Sequence, residues 1–517
     1  MKALLMHPAQ AFDLKRTLPS HEPVLRQDLE LDVLWSAMAD DDAYLFDVAR
    51  RATLGGLHTH VATVLYRQDV LRDSLEHPDV IRHLYELAVR AIDGKQKSHW
   101  SFYGKYPSST LHGAIDVMTL FVAILRRLRE VADTQFNVFR SRGFTALFGM
   151  LREEFGDDYL ATIDSWLDEL KFGHGVLLSA NLGAGNVGTN YTLRHANDNA
   201  PGLLQRVLHK GPPAYTFRIP ERDIAGAQAL GAIHDRGINL VANALAQSMD
   251  HIFGFFETLR AELAFYVGAL NLDTKLHALG VPTVMPQPTE AGDGTHHAEG
   301  LRDPCLALSM GHAVVGNTLA ADHKSLLVVT GANQGGKSSF LRSFGVAQLM
   351  LQSGLYVAAD SFAAELCHGL FTHYKREEDK TMTSGKLDEE LGRISIIADA
   401  ITPNALLLLN ESFASTNELE GAEIARQIVA ALQERAVRIC FVTHLFAFAH
   451  DLFEQGSVDT LFLRAQRRED GTRTFRLVEG EPLETSYGAD LYREVFEGEV
   501  ASPVLEKAVD DDTLTAL

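Results

Sequence analysis

The chain has 517 residues, 46% of them hydrophobic and 22% charged, and a formal net charge of −21. That length supports about three domains with sizeable cores and excludes a disulfide-stapled mini-protein. The acidic balance excludes a uniformly basic nucleic-acid coat, so any contact with a phosphate backbone has to be local. Three scattered cysteines, Cys305, Cys367 and Cys440, give no disulfide framework and indicate a reducing compartment. The start, MKALLMHPAQAFDLKR, has too short an apolar run for a secretory signal. No window reaches the ~18 apolar residues of a membrane span. The expected location is the cytoplasm.

Residues 1–280 read as mostly helical. From Leu111 the apolar positions Leu111, Ile115, Met118, Val122 and Leu125 recur at spacings of four and three, one stripe on a long helix. Arg126, Arg127 and Arg129 follow as the solvated end of that helix. Glycines and a proline between residues 94 and 108 predict a break before it. Residues 171–220 interrupt the helical pattern with strand-like runs at 176–180, 191–194 and 215–219, the first two joined by the Gly-rich NLGAGNVGTN. Phe255-Phe256-Glu257 sits in an apolar helical stretch with Ile252, Leu259 and Leu263, and its aromatics read as core. Residues 281–300, rich in Pro, Gly and acids, read as an exposed linker.

Residues 301–465 carry the chemistry. The apolar run Leu326-Leu327-Val328-Val329 leads directly into GANQGGKSS, residues 331–339, and then into a helix-like segment. This fits G-x-x-x-x-G-K-[ST], in which glycines curl backbone N–H groups inward, Lys reaches the β and γ phosphates and a hydroxyl ligates Mg²⁺. The expected ATP-binding set is therefore Gly331, Asn333, Gly335, Gly336, Lys337, Ser338 and Ser339, with the helix dipole beneath the phosphates. A second apolar run, Ala405 then four leucines, reads as a strand of a parallel sheet buried on both faces and ends in Asn410-Glu411. Glu411 is placed to act as base on an attacking water. Asn410 stands where such ATPases use Asp to hold Mg²⁺, and a neutral amide holds that ion more weakly. A third run, Arg438-Ile439-Cys440-Phe441-Val442, delivers Thr443-His444 at its C-terminal end, the place of a γ-phosphate sensor. His58 and His60, His296-His297, and Cys367-His368 with His373 lack a second pair at zinc spacing, so Mg²⁺ with the nucleotide is the expected metal.

The blocks GANQGGKSSFLRSFGVAQLMLQSGLYVAA, TSGKLDEELGRISIIADAI, NESFASTNELEGAEIARQIVAAL and FVTHLFAFAHDL resemble the ATPase domain of MutS-type DNA mismatch-repair proteins. The segments beginning at Tyr66 and Leu259 resemble that family's helical lever and the connection to its ATPase. The resemblance implies a dimeric ABC-class ATPase. In it Ser384-Gly385-Lys386 match a signature loop that reaches the γ-phosphate of the other subunit, Glu411 the catalytic carboxylate and His444 the switch histidine. Asn317 matches an Asn beside the adenine. It also implies DNA as partner, and the basic candidates of the β-rich segment are Lys171, Arg194, Arg206, Lys210 and Arg218 against one acid, Asp198. The family's all-β clamp is one reading of that segment, and a hairpin capping the helices is the other. Mismatch-reading and connector domains find no counterpart in this sequence. Residues 466–517 resemble a helical segment that braces the partner.

The expected fold is thus α+β and multidomain: a mostly helical lever and core region with a small β insertion, then an α/β P-loop ATPase domain of the ABC class. The expected function is an ATP-dependent, DNA-binding homodimer. A slow or non-catalytic ATP-gated scaffold for protein partners is the alternative that Asn410 and the acidic surface suggest.

Overall fold

The apolar stripe from Leu111 becomes the spine of the N-terminal half. The computed structural model describes residues 1–55, 59–102, 106–173, 175–195, 217–220, 222–376, 385–468 and 472–483. The helices α1 (Glu22–Asp28), α2 (Leu31–Ala39), α3 (Ala43–Leu54), α4 (Val61–Glu76), α5 (Pro78–Phe102), α6 (Pro107–Gln135), α7 (Arg142–Glu154) and α8 (Asp157–Leu170) come first. A hairpin, β1 (Leu177–Leu182) and β2 (Gly188–Arg194), precedes the 55-residue helix α9 (Ile224–Ala278). At ~1.5 Å per residue α9 is roughly 80 Å long. The five stripe residues of α6 are all buried, since α5 and α9 both pack against that helix. Phe255 and Phe256 are buried as well, on the face that α9 turns to this core.

Several expectations change here. Gly94 breaks nothing: it lies inside α5, where a Cβ would stand 2.0 Å from Leu120 Cδ2, so it lets α6 approach closely. Arg126 and Arg129 are within α6 rather than at its end, and they reach Asp164 at 2.8 Å and the Phe155 carbonyl at 2.8 Å, pinning α6 to α8 and the turn before it. By length and composition α6 is apolar enough to cross a membrane, contrary to the reading of no such window. Its apolar face is accounted for by burial against α5 and α9. Strands form at the first two sites expected in residues 171–220, and Leu178 of β1 rests over Gly237 of α9, where a Cβ would meet it at 2.3 Å. Phe217, Arg218 and Ile219 are in no strand, and Tyr215 and Thr216 lie outside the described residues.

Residues 281–300 are not a free tether. β3 (Gln287–Thr289) and β4 (His296–Leu301) join β5 (Asn317–Ala320) and β7 (Ser361–Glu365) in a four-stranded sheet of order β3-β7-β4-β5. The glycines there make a turn that Glu365 holds, accepting from the N–H of Gly292 at 3.0 Å and of Gly294 at 2.6 Å. The larger sheet has the order β12-β11-β6-β10-β9-β8. Its members are β6 (Leu326–Thr330), β8 (Leu370–Tyr374), β9 (Leu406–Asn410), β10 (Arg438–Val442), β11 (Thr460–Arg467) and β12 (Arg473–Glu479). All pair in parallel except the edge strand β12. Around them lie α10 (Pro304–Met310), α11 (Lys337–Gln352), α12 (Lys386–Ala400), α13 (Glu418–Glu434) and α14 (Phe446–Glu454). The reading of residues 466–517 as helical is therefore corrected for the described part, because β11 and β12 form an antiparallel hairpin. Residues 484–517 lie outside the described residues.

An extended N-terminal segment ties the two halves together. Glu262 of α9 is fully buried and accepts from Leu5 N–H at 2.5 Å and Phe12 N–H at 3.0 Å, and Tyr266 donates to the Leu5 carbonyl at 2.7 Å. From the other side Arg67 of α4 donates to the Met6 carbonyl at 2.9 Å and to the carbonyl of Ser353, the residue that closes α11, at 3.1 Å. Both charges are buried with backbone groups as partners, the arrangement that makes such burial tolerable. Desolvation pushes Glu262 up to about 7, with the backbone N–H groups opposing it.

A carboxyl raised from 4.5 to about 7 keeps its proton in the folded chain where the unfolded chain has lost it. Its contribution is therefore fully present below the unfolded value and is lost as pH rises through the folded one. Glu262→Gln should remove a pH-dependent stability difference on the order of 2 kcal/mol between pH 5 and 8. Thermal melts of both proteins at the two pH values measure it, and parallel curves would dismiss Glu262 as the titrating group.

Candidate functional site

The central strand β6 has no polar side chain from Leu326 to Val329, all fully buried, so its first chemistry appears at its C-terminal end. Register does the rest. Val329 pairs with Val442 of β10, and Val442 pairs with Asn410 of β9, so the three strands end level. Gly331, Glu411 and His444 leave the sheet together at that edge. Gly331 and Gly336 have φ of +117° and +91°, values that side chains other than glycine's resist. The hairpin presses on this loop: a Cβ on Gly331 or Gly335 would come within 2.9 or 2.7 Å of Ala465 Cβ. Gln334, itself at φ +60°, accepts a hydrogen bond from Arg473 of β12.

Lys337 opens α11 and is almost completely buried. Its ammonium donates to the carbonyls of Gly331 and Ala332 at 2.8 and 2.9 Å. Burial pushes it down to about 8, and the Glu411 charge opposes that shift. Ser338 Oγ donates to Asn410 Oδ1 at 3.2 Å, which brings the two expected Mg²⁺ residues together. Glu411 sits at φ +53°, with its N–H bonded to the Val442 carbonyl at 2.8 Å and its Oε1 3.0 Å from His444 Nε2. The His444 hydrogen bond is the main cause that holds the Glu411 carboxyl below its usual range; burial works against it, and Lys337 and Lys375 add to it. At neutral pH Glu411 is therefore an anion able to take a proton.

Lys337, Ser338 and Glu411 line a cavity of about 490 Å³. Asn333, Gly336 and Ser339 line it too, together with the apolar Val314, Val315 and Phe475. Asn317 also lines it, but its amide is engaged: Oδ1 accepts from Leu477 N–H at 2.7 Å and Nδ2 donates to the Phe475 carbonyl at 3.4 Å. These bonds fasten β12 to β5. His444 is absent from the lining and meets the cavity through Glu411.

Other candidates are scattered. Ser384 lies outside the described residues, Gly385 caps α12 with open space around its Cα, and Lys386 begins that helix. The strand before them, β8, is the far edge of the sheet, separated from β6 by β9 and β10. Lys171 pairs with Asp168 at 2.7 Å and Arg194 donates to Ser179 Oγ at 2.9 Å, while Arg218 is exposed. Arg206 and Lys210 lie outside the described residues. Sequence reasoning missed Phe475 and Arg473, because the segment holding them read as part of a helix-forming tail, and Ala465, the last residue assigned to the ATPase domain, because nothing local marks its approach to the glycine-rich loop. It also missed His450, Glu454 and Glu481, whose ligand atoms lie within 4.8 Å of one another although Glu481 comes from beyond β12.

The sequence has counterparts. A family model described as the MutS2 N-terminal domain matches residues 59–279, and one described as MutS domain V matches residues 327–510. A DNA mismatch repair protein MutS from Thermus thermophilus is 30% identical over 179 residues, 35% of this chain and 22% of that protein. A DNA mismatch repair protein MutS 2 from Halobacterium salinarum is 26% identical over 223 residues, 43% of this chain and 25% of that one. An Endonuclease MutS2 from Thermus thermophilus is 33% identical over 132 residues, 25% of this chain and 18% of the relative. The chain spans about a quarter or less of the length of these relatives. One family model covers most of the helical half and another the parallel sheet with its glycine-rich loop, and on both grounds the chain belongs to the MutS family of mismatch-repair-type proteins.

Proposed function

We propose that the chain binds ATP with Mg²⁺ in the cavity above β6 and hydrolyses it, coupling the nucleotide state to its grip on DNA. The observation that carries this reading is the convergence of Lys337, Ser338, Asn410 and the Glu411–His444 pair on one sheet edge. Lys337, already buried and held by two loop carbonyls, would exchange those weak partners for phosphate oxygens. The N–H groups of the loop and the start of α11 face the same charge. Ser338 and Asn410 supply neutral oxygen donors, which suit a hard divalent cation, so the residues present fit Mg²⁺ and would hold it at Oγ and Oδ1. Bound there, Mg²⁺ supplies charge neutralisation at the transferred phosphoryl group. Glu411 takes the proton of the attacking water, and His444 orients that carboxylate.

In the same proposal the chain works as a homodimer in the cytoplasm, and Ser384-Gly385-Lys386 of a second copy complete each site. The placement of β8 and α12 away from β6 supports this, and among the described residues neither Gly385 nor Lys386 lines the cavity of its own chain. DNA contact is assigned to the exposed side of the hairpin and to Arg218, a local basic region on an acidic chain. A second reading, a slow ATP-gated scaffold for protein partners, is favoured by the neutral Asn410 and by the engagement of Lys171 with Asp168 and of Arg194 with Ser179. Binding to duplex, branched and mismatched DNA across a salt series separates the two. Affinity that falls with salt supports the DNA reading, and no binding at low salt supports the scaffold.

Glu411→Gln should lower kcat by roughly 10²-fold while leaving ATP affinity within about twofold. Turnover that survives the change removes Glu411 from the reaction. Asn410→Asp should lower the Mg²⁺ concentration for half-maximal ATPase activity, because a carboxylate holds the cation more strongly than an amide. The opposing effect is that a second charge beside Glu411 raises its pKa and weakens the base below neutral pH. Magnesium titrations at two pH values decide between them: a mutant that needs as much Mg²⁺ as the wild type and slows in acid shows that the amide is tuned for Glu411.

A further inference from the structure

Behind Glu411 lies a buried polar cluster drawn from three elements. Ser412 follows Glu411 directly and is completely buried, as is His373 of β8. Ser412 Oγ is 2.7 Å from His373 Nδ1 and 2.9 Å from the His373 carbonyl. His373 Nε2 is 3.3 Å from the carbonyl of Glu390, a residue of α12. Burial, with Arg393 nearby, pushes His373 down to about 4, so the ring is neutral and carries one proton. Ser412 donates its one O–H to the His373 carbonyl, and the neutral ring faces Ser412 Oγ through Nδ1 and the Glu390 carbonyl through Nε2, with one ring proton between those two contacts. The Glu390 side chain is itself buried, and its Oε1 accepts the N–H of Phe413 at 2.9 Å while Oε2 has no partner.

The turn these groups hold is a costly one. Glu411 and Phe413 have φ of +53° and +65° without being glycine. Each such residue costs on the order of 1 kcal/mol and persists only when its surroundings impose it. Phe413 is fully buried, its ring stacked against His373 with centroids 6.0 Å apart. A carboxylate with one unpartnered oxygen, fixed on the backbone N–H of a strained turn, is a poor choice for stability alone. It is a good device for aiming the residue two positions earlier.

Building on the hydrolysis reading above, we propose that Glu390 and His373 are positioning residues that hold the Glu411–Phe413 turn, so that the aim of the Glu411 carboxylate follows the position of α12. Helix α12 begins at Lys386, the last residue of the segment assigned to the partner's nucleotide. A displacement of α12 is passed to Phe413 through one hydrogen bond and to Ser412 through His373. Engagement of one site thereby reaches the base of the other in the same chain.

Variants of the 517-residue chain test this. Glu390→Met should lower kcat at least tenfold with KM and ATP affinity changed less than twofold, whereas Glu390→Gln, whose amide oxygen still accepts from Phe413, should keep kcat within about threefold. In the Glu411→Gln background Glu390→Met should have no further effect on kcat, because the group it aims is already gone. If Glu390→Met fails to fold, Ser412→Ala, which deletes a single hydroxyl, should show the same loss in kcat alone. Equal effects of Glu390→Met with and without Glu411, or a loss in ATP affinity matching that in kcat, overturn the positioning role. A wild-type protein that binds ATP but never hydrolyses it overturns the hydrolysis reading itself, and the present inference with it.

Discussion

The register of β6, β10 and β9 is the constraint on which the rest depends. Each of these strands is a run of apolar side chains buried on both faces, with room for polar chemistry only where the run stops. Parallel pairing with Val329, Val442 and Asn410 abreast makes the three runs stop at one edge. A slip of one residue between β9 and β10 would turn the leucines of β9 to opposite faces and move Asn410 away from Ser338. The hydrophobic core therefore specifies the polar site indirectly, by fixing where each strand ends.

A second level of constraint comes from what covers that edge. The hairpin of β11 and β12 lies against the glycine-rich loop, and Asn317 and Arg473 fasten it there. Backbone curvature at Gly331 and Gly336 and the contact of Gly331 and Gly335 with Ala465 leave no place for a Cβ at those three positions. The helix that follows carries the consequence across the molecule: α11 begins at Lys337 and ends at Ser353, whose carbonyl is held by Arg67. Through Arg67, the N-terminal segment and Glu262, the end of α11 is joined to α9 by a continuous chain of buried hydrogen bonds.

Much of this was legible in the chain itself. Continuous apolar runs announced β6, β9 and β10, the spacing of glycines with Lys337 and Ser338 announced the loop, and the stripe from Leu111 announced α6. What escaped has physical reasons. Gly94 looked like a breaker because its missing side chain serves a neighbour, Leu120, that is distant in sequence. The strands at Gln287–Thr289 and His296–Leu301 carry Pro, His and Gly and take their form from pairing with β7, which no local pattern reveals. The bonds of Asn317 to the β12 backbone join segments far apart in the chain, which no local pattern reveals. Glu390, His373 and Ser412 come from three separate elements, and only the fold brings them together.

The central claim is that the level strand ends make one nucleotide site per chain. Calorimetric titration of the wild type and of Lys337→Ala with ATP in the presence of Mg²⁺ tests it most directly. A site built on Lys337 binds one ATP per chain, and removing the ammonium weakens that binding by roughly 10²-fold or more. Wild-type protein that takes up no ATP, or a Lys337→Ala variant that binds as tightly as the wild type, contradicts it.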